Sequence, residues 1–236
     1  MLKAVIFDLD GVIADSHPIH EAAWKTLLAE QGLDPATINV DFLYAGHPRR
    51  EILTHYLGAL SDPLIERLGR RKDELYLRAA ENLAPKPGIP RVLCELQAAG
   101  IALAVATSAG RIRTEETLAK FNIAHRFAAV VSGNDVRAAK PTPDIFLLAA
   151  SKLGVTPDEV VVVEDSVAGV RAAHAAVMSC VGYVPRERMS TLIQAGADEV
   201  ITEFPPDAAQ YFRGLLERDS QARSPRRARI AVRQRD

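Results

Sequence analysis

The first strand limits the fold more than any other stretch of the chain. Lys3–Leu9 reads KAVIFDL, β-branched and apolar with no helical period, and it runs into Asp10-Gly11. Successive side chains of a strand point to opposite faces, so a nearly continuous apolar run has to be covered on both. Such a strand belongs in a parallel sheet between two layers of helices. Similar short runs recur at Ile101–Ala106, Ala128–Val131, Val160–Val163, Ser179–Val181 and Glu199–Ile201. Helical patterns separate them at Pro90–Ala99, Ile112–Phe121, Pro143–Leu153, Ala168–Ala175 and Met189–Ala195. This alternation predicts an α/β fold, a Rossmann-like parallel sheet with helices on both faces and right-handed crossovers.

Residues 16–84 break the rhythm. Four helical patterns lie there, His20–Gln31, Asp41–Tyr44, Arg49–Leu57 and Pro63–Glu81, and no convincing strand. The expectation is a small α-helical cap inserted into an α/β core made of residues 1–15 and 85–217. The turn-rich Pro85-Lys86-Pro87-Gly88 marks the return to the core. With 48% hydrophobic residues the chain can build a substantial core. No apolar run approaches the roughly 18–20 residues of a membrane span. The N-terminal segment has acidic residues and no cleavage site, so no signal peptide is expected. Two cysteines, Cys94 and Cys180, suit a reducing cytoplasm and read as buried small hydrophobes.

The net charge of −1 hides an asymmetry. Residues 218–236 hold seven Arg and two Asp, while the remainder holds 22 Lys+Arg and 28 Asp+Glu. An acidic body carries a basic tail that is expected to be disordered. The tail lacks interleaved aromatics, and nucleic-acid binding through it is a lesser reading.

Four segments carry candidate chemistry, each at or just after the end of an expected strand, the edge where open parallel sheets bind ligands. Asp8 and Asp10 stand at i and i+2 on an extended chain and point the same way. Two such carboxylates need a cation or a shared proton, and can divide the roles of nucleophile and general acid/base. The plainer reading is a β-turn with surface aspartates. Thr107 and Ser108 form a natural anion site at a strand-to-helix turn, or an ordinary N-cap. Lys140, between Ala139 and Pro141, is a fixed point charge suited to phosphate, or a surface lysine in a turn. Glu164 and Asp165 follow VVVV and suit a hard cation such as Mg²⁺, with an N-cap aspartate as the alternative.

In that order, on one α/β chain, these segments resemble the haloacid dehalogenase-like phosphotransferase superfamily. Residues 1–205 share the pattern. The pieces FDLDGVIADS, HEAAW, KPTPDIF and VEDSVAGVRAA are most similar to its β-phosphoglucomutase-like and sugar-phosphate phosphatase branch. The resemblance implies Asp8 as nucleophile, forming an aspartyl-phosphate, and Asp10 as acid/base. It implies Thr107 and Lys140 as holders of the phosphoryl group. Mg²⁺ is implied on the Asp8 carboxylate, the Asp10 carbonyl and Asp165, with Glu164 ligating or near. Ser108 joins the anion site.

In the cap, His20, Arg49 of Gly46-His47-Pro48-Arg49, and Lys72 match substrate-contacting positions, with structural or solvated roles as the alternatives. One departure is plain. Where mutases of this branch carry a Ser-Lys-Asn-like stretch that grips a distal phosphate, this chain has Ala109-Gly110-Arg111. Only Arg111 can replace the lost charge. The expectation is therefore a Mg²⁺-dependent phosphatase of a small phosphorylated metabolite, with a hexose-phosphate mutase as the alternative. Whether it is a monomer or a dimer stays open.

Overall fold

A computed structural model describes residues 1–219. Six parallel strands form one sheet: β1 Ala4–Phe7, β2 Ala102–Ala106, β3 Ala129–Val131, β4 Val160–Glu164, β5 Ser179–Tyr183 and β6 Glu199–Ile201, in the order β3-β2-β1-β4-β5-β6. β1 is central, with Phe7 opposite Val105 of β2 and Val163 of β4. Its residues divide by parity. Val5 and Phe7 pack under α5 (Ile89–Ala98) and a C-terminal helix (residues 208–219), against Val92, Leu96 and Phe212. Ala4 and Ile6 pack under α7 (Asp144–Leu153) and α8 (Val167–Ala175), against Phe146 and Val170. Both faces are thereby covered, as the apolar run requires. Truncating Phe7 or Phe212 to Ala costs about 3–5 kcal/mol.

Between β1 and α5 the chain forms α1 His17–Glu30, α2 Val40–Tyr44, α3 Arg49–Leu57 and α4 Asp62–Ala79. They enclose a separate apolar cluster of Trp24, Leu27, Leu28, Leu53, Ile65 and Leu68. We refer to this helical insert as the cap. The two connections to it run side by side: Asp15 N donates to Ala84 O at 2.9 Å and Lys86 N to Ile13 O at 2.8 Å. That pairing seats the cap over the C-terminal ends of the strands.

Several details depart from the expectations. α1 begins three residues early, because Pro18 is well suited to a first helical turn, where its missing N–H costs nothing. β5 runs two residues further than its β-branched core, since Gly182 and Tyr183 pair with Val200 and Ile201 of β6. Cys180 is buried, but Cys94 faces outward on α5 and is exposed. Its neighbours Val92, Leu93 and Leu96 take the inner face at helical spacing.

The C-terminal helix runs past the expected start of the tail. Arg218 donates to Glu199 Oε1 at 2.5 Å, and Ser179 Oγ donates to Asp219 Oδ2 at 2.5 Å. The rest of the expected disordered tail, residues 220–236, lies outside the described residues. Among the described residues no helix is long and apolar enough to cross a membrane.

Candidate active site

β1 delivers Asp8 to the edge of the sheet, and Asp8 N continues the ladder by donating to Val163 O at 3.0 Å. The chain then closes a tight turn, with Gly11 N donating to Ala14 O at 2.8 Å. Gly11 has φ 76°, and a Cβ there would lie 2.2 Å from Asp165 Oδ2 and 2.6 Å from the His17 ring. Position 11 needs glycine for both reasons. The turn opens onto a cavity of about 350 Å³ between strand ends and cap. Asp8, Asp10, Thr107, Ser108, Lys140 and Asp165 line its floor, and His20, Arg49 and Lys72 its roof.

Lys140 is the centre of the floor. Its Nζ donates to Asp8 Oδ1 at 2.6 Å, to Glu164 Oε1 at 2.5 Å and to the carbonyl of Ala106 at 3.1 Å. All three side chains are buried. Burial alone would drive the Lys140 ammonium down, but Asp8 and Glu164 more than reverse that and hold it protonated. Asp8 is pushed well above the ordinary carboxylate range by burial. Glu164, Asp165 and Asp10 push the same way, and Lys140 opposes them.

Glu164, expected near the metal or ligating it through water, has both carboxylate oxygens engaged by the protein. Its Oε1 takes Lys140, and its Oε2 accepts from Asp165 N, Ser166 N and Ser166 Oγ at 2.9–3.1 Å. A Cβ on Gly169 would lie 1.9 Å from the Glu164 carboxyl carbon, so the first turn of α8 closes directly on it. Glu164 anchors Lys140 and the start of α8.

Asp10 faces the other way. Burial would raise its carboxyl, yet Arg113 and His20 together hold it well below the usual range. Arg113 Nη1 and Nη2 donate to Oδ1 and Oδ2 at 2.8 and 2.6 Å, and His20 Nε2 lies 3.3 Å from Oδ1. His20 Nδ1 is 2.6 Å from Lys72 Nζ. Burial and Lys72 bring the imidazole down to about 4, so it is neutral near pH 7, accepting from Lys72 and donating to Asp10.

Thr107 is buried, and its Oγ1 accepts from Ala109 N at 3.1 Å, which tightens the turn after β2 and leaves Ser108 exposed on the floor. Arg49 lines the roof, but its Nη2 is held by both oxygens of Asp73 at 2.6 and 2.8 Å. Arg111 does not reach the cavity. It is turned outward and paired with Asp135.

Two participants were not anticipated. Arg113 stands in the first turn of α6 (Arg111–Lys120), where a cation opposes the helix macrodipole. That unfavourable placement was the one sequence signal that it has a dedicated partner. His17 Nε2 pairs with Asp165 Oδ2 at 2.6 Å and its ring stacks on Tyr44 at 4.4 Å.

Among the described residues no three His, Cys, Asp or Glu side chains form a ready metal cluster. Mg²⁺ asks for less, one or two carboxylates with water and substrate oxygens completing its shell. Asp8 and Asp165 supply two, and the crowding that pushes Asp8 upward is what a cation relieves. The donor set fits a hard divalent ion on that ground.

The comparisons agree with this architecture. A family model described as haloacid dehalogenase-like hydrolase matches residues 5–183. Beta-phosphoglucomutase of Bacillus subtilis (strain 168) is 35% identical over 215 residues, 86% of this chain and 90% of the relative. Phosphorylated carbohydrates phosphatase of Thermotoga maritima is 35% identical over 177 residues, 74% of this chain and 82% of the relative. The crystal structure of beta-phosphoglucomutase from Clostridium difficile superposes with a TM-score of 0.76 at 26% identity, covering 92% of this chain and 98% of that one. A family match spanning most of the chain, with relatives at 35% identity over most of its length, leads to one conclusion: the chain belongs to the haloacid dehalogenase-like hydrolase family.

Proposed function

We propose that this protein is a Mg²⁺-dependent phosphatase that hydrolyses a small phosphomonoester, a sugar phosphate, through an aspartyl-phosphate on Asp8. The observation that carries the reading is the buried Asp8–Lys140–Glu164 arrangement at the sheet edge with Asp10 beside it. In the first half-reaction an Asp8 oxygen bonds to phosphorus as the bond to the leaving oxygen breaks, and Asp10 passes to that oxygen the proton that a monoanionic phosphate ester brings into the site. In the second, water attacks phosphorus, Asp10 takes a proton from it, and phosphate leaves with Asp8 restored. Lys140 and the Thr107-Ser108 turn hold the phosphoryl oxygens where charge accumulates. Mg²⁺ would be held by the Asp8 and Asp165 carboxylates and the Asp10 carbonyl, and would supply charge neutralisation for the incoming phosphate.

The relatives' names support a phosphorylated carbohydrate as substrate. A cytoplasmic setting goes with two cysteines that remain free thiols. The test is phosphate release from a panel of sugar phosphates with Mg²⁺. Asp8→Asn is expected to lower it by about 10³-fold or more. An Asp8→Asn enzyme of undiminished activity would sink the mechanism.

A hexose-phosphate mutase is the second reading, favoured by Arg49 on the roof and by the Bacillus relative. Against it, Arg111 is paired outside the cavity and Arg49 is neutralised by Asp73, so a distal phosphate meets little free charge. β-Glucose 1-phosphate with a trace of glucose 1,6-bisphosphate separates the two. Isomerisation supports the mutase, and phosphate release alone the phosphatase.

A further inference from the structure

The Arg113–Asp10 fork has no part in the chemistry above. Arg113 reaches Asp10 across 103 residues of chain and engages both of its oxygens. Its Nη1 also donates to the Tyr76 hydroxyl at 3.3 Å, and its guanidinium lies 5.0 Å from the centre of the Tyr76 ring. One side chain therefore joins α6 of the core, the loop that carries Asp10, and α4 of the cap. The two partners are partly buried, 24% and 22% exposed, and the pair is bidentate.

Asp10 can serve the leaving oxygen, or the attacking water, only by turning an oxygen toward the group on Asp8. With the fork closed, both oxygens face Arg113 and one also faces His20. We propose that Arg113 is a positioning residue that holds Asp10 off the reaction axis, and that each turnover opens this fork. The proposal rests on the role of Asp10 given above. α4 carries Tyr76, which touches Arg113, and Lys72, which lines the cavity. A substrate large enough to press on Lys72 therefore acts on the element that braces the fork. A substrate too small to reach α4 has no such lever, and the closed fork slows its turnover.

Acetyl phosphate is a suitable small probe. Arg113→Met is expected to raise its kcat by about 5-fold, equivalent to about 1 kcal/mol of barrier, with KM changed less than about 2-fold. Arg113→Lys keeps a charge but loses the fork, and is expected to fall between wild type and Arg113→Met. A merely structural role would lower kcat or raise KM, and would give no graded gain. If Arg113→Met destabilises the fold, the rise in Arg113→Lys decides the matter. An unchanged or lower kcat in both variants, beside an active wild type and a dead Asp8→Asn, overturns the proposal and leaves the phosphatase reading standing. A wild type without Asp8-dependent phosphate release from any substrate overturns both.

Discussion

Two lysines face each other across the cleft and are buried to nearly the same degree, Lys140 at 7% exposure on the sheet side and Lys72 at 6% under the cap. Lys140 lies between two carboxylates and stays firmly charged. Lys72 has the His20 imidazole at 2.6 Å and the faces of Trp24 and Tyr76 at 5.6 and 5.0 Å. No carboxylate forms an ion pair with it among the described residues. Burial and the nearby Arg113 bring it down to about 7. Equal burial thus leaves one lysine firmly charged and the other titrating near neutrality, and the partners decide which. The floor of the cleft is a closed electrostatic unit built for one group, while the roof holds an uncompensated cation that a substrate can complete.

Removing each lysine sharpens this contrast. Lys140→Met strands two buried carboxylates and is expected to cost about 3–5 kcal/mol in urea unfolding. Phosphate release should also fall by about 10²–10³-fold. If the variant unfolds at the wild-type midpoint, the floor is not the closed unit described. Lys72→Met is expected to keep stability within about 1 kcal/mol of wild type, or to raise it, because no buried anion is left behind. Its kcat/KM for the best sugar phosphate should drop about 10-fold, the worth of one charged hydrogen bond. An equal loss of stability in both variants would erase the distinction.

The same contrast has a pH signature. Between about 7 and its ordinary 10.5, Lys72 is deprotonated in the folded protein and protonated in the unfolded chain. The unfolded state then binds the extra proton, so Lys72 makes stability rise with pH through that window. Unfolding series in urea from pH 7 to 10 should show this slope in the wild type and a flatter one in Lys72→Met. The smallest effect is expected at Arg49. Its pair with Asp73 is exposed, 42% and 51%, so releasing it by Asp73→Asn should tighten inhibition by glucose 1,6-bisphosphate by at most about 5-fold. A gain in mutase activity there would move the balance between the two readings.

What was legible beforehand was what is local. A strand buried on both faces has to be a continuous apolar run, so VVVV at 160–163 announces itself, as do the carboxylates that follow it and the first strand. Arg111 and Arg113 show the limit. They are two residues apart on one helix, and sequence reasoning chose Arg111, the one that pairs outward with Asp135. Helical geometry turned Arg113 instead toward Asp10. Lys72 sits in an Arg70-Arg71-Lys72-Asp73 run that reads as solvated. It falls, however, at i+4 from Leu68 and i−4 from Tyr76, on the buried face of α4.

By itself, then, the sequence determined the parallel sheet, the place of the helical insert and the nearness of Asp8, Asp10, Thr107 and Asp165 to the strand ends. Those follow from the period of apolar residues and from short turns. Only the tertiary structure decided which charges meet. It gave Glu164 to Lys140 and Arg113 to Asp10. The reason is physical: burial obliges every charge to find a partner or give up its charge, and the partner is set by packing across as many as 132 residues of chain rather than by neighbours along it.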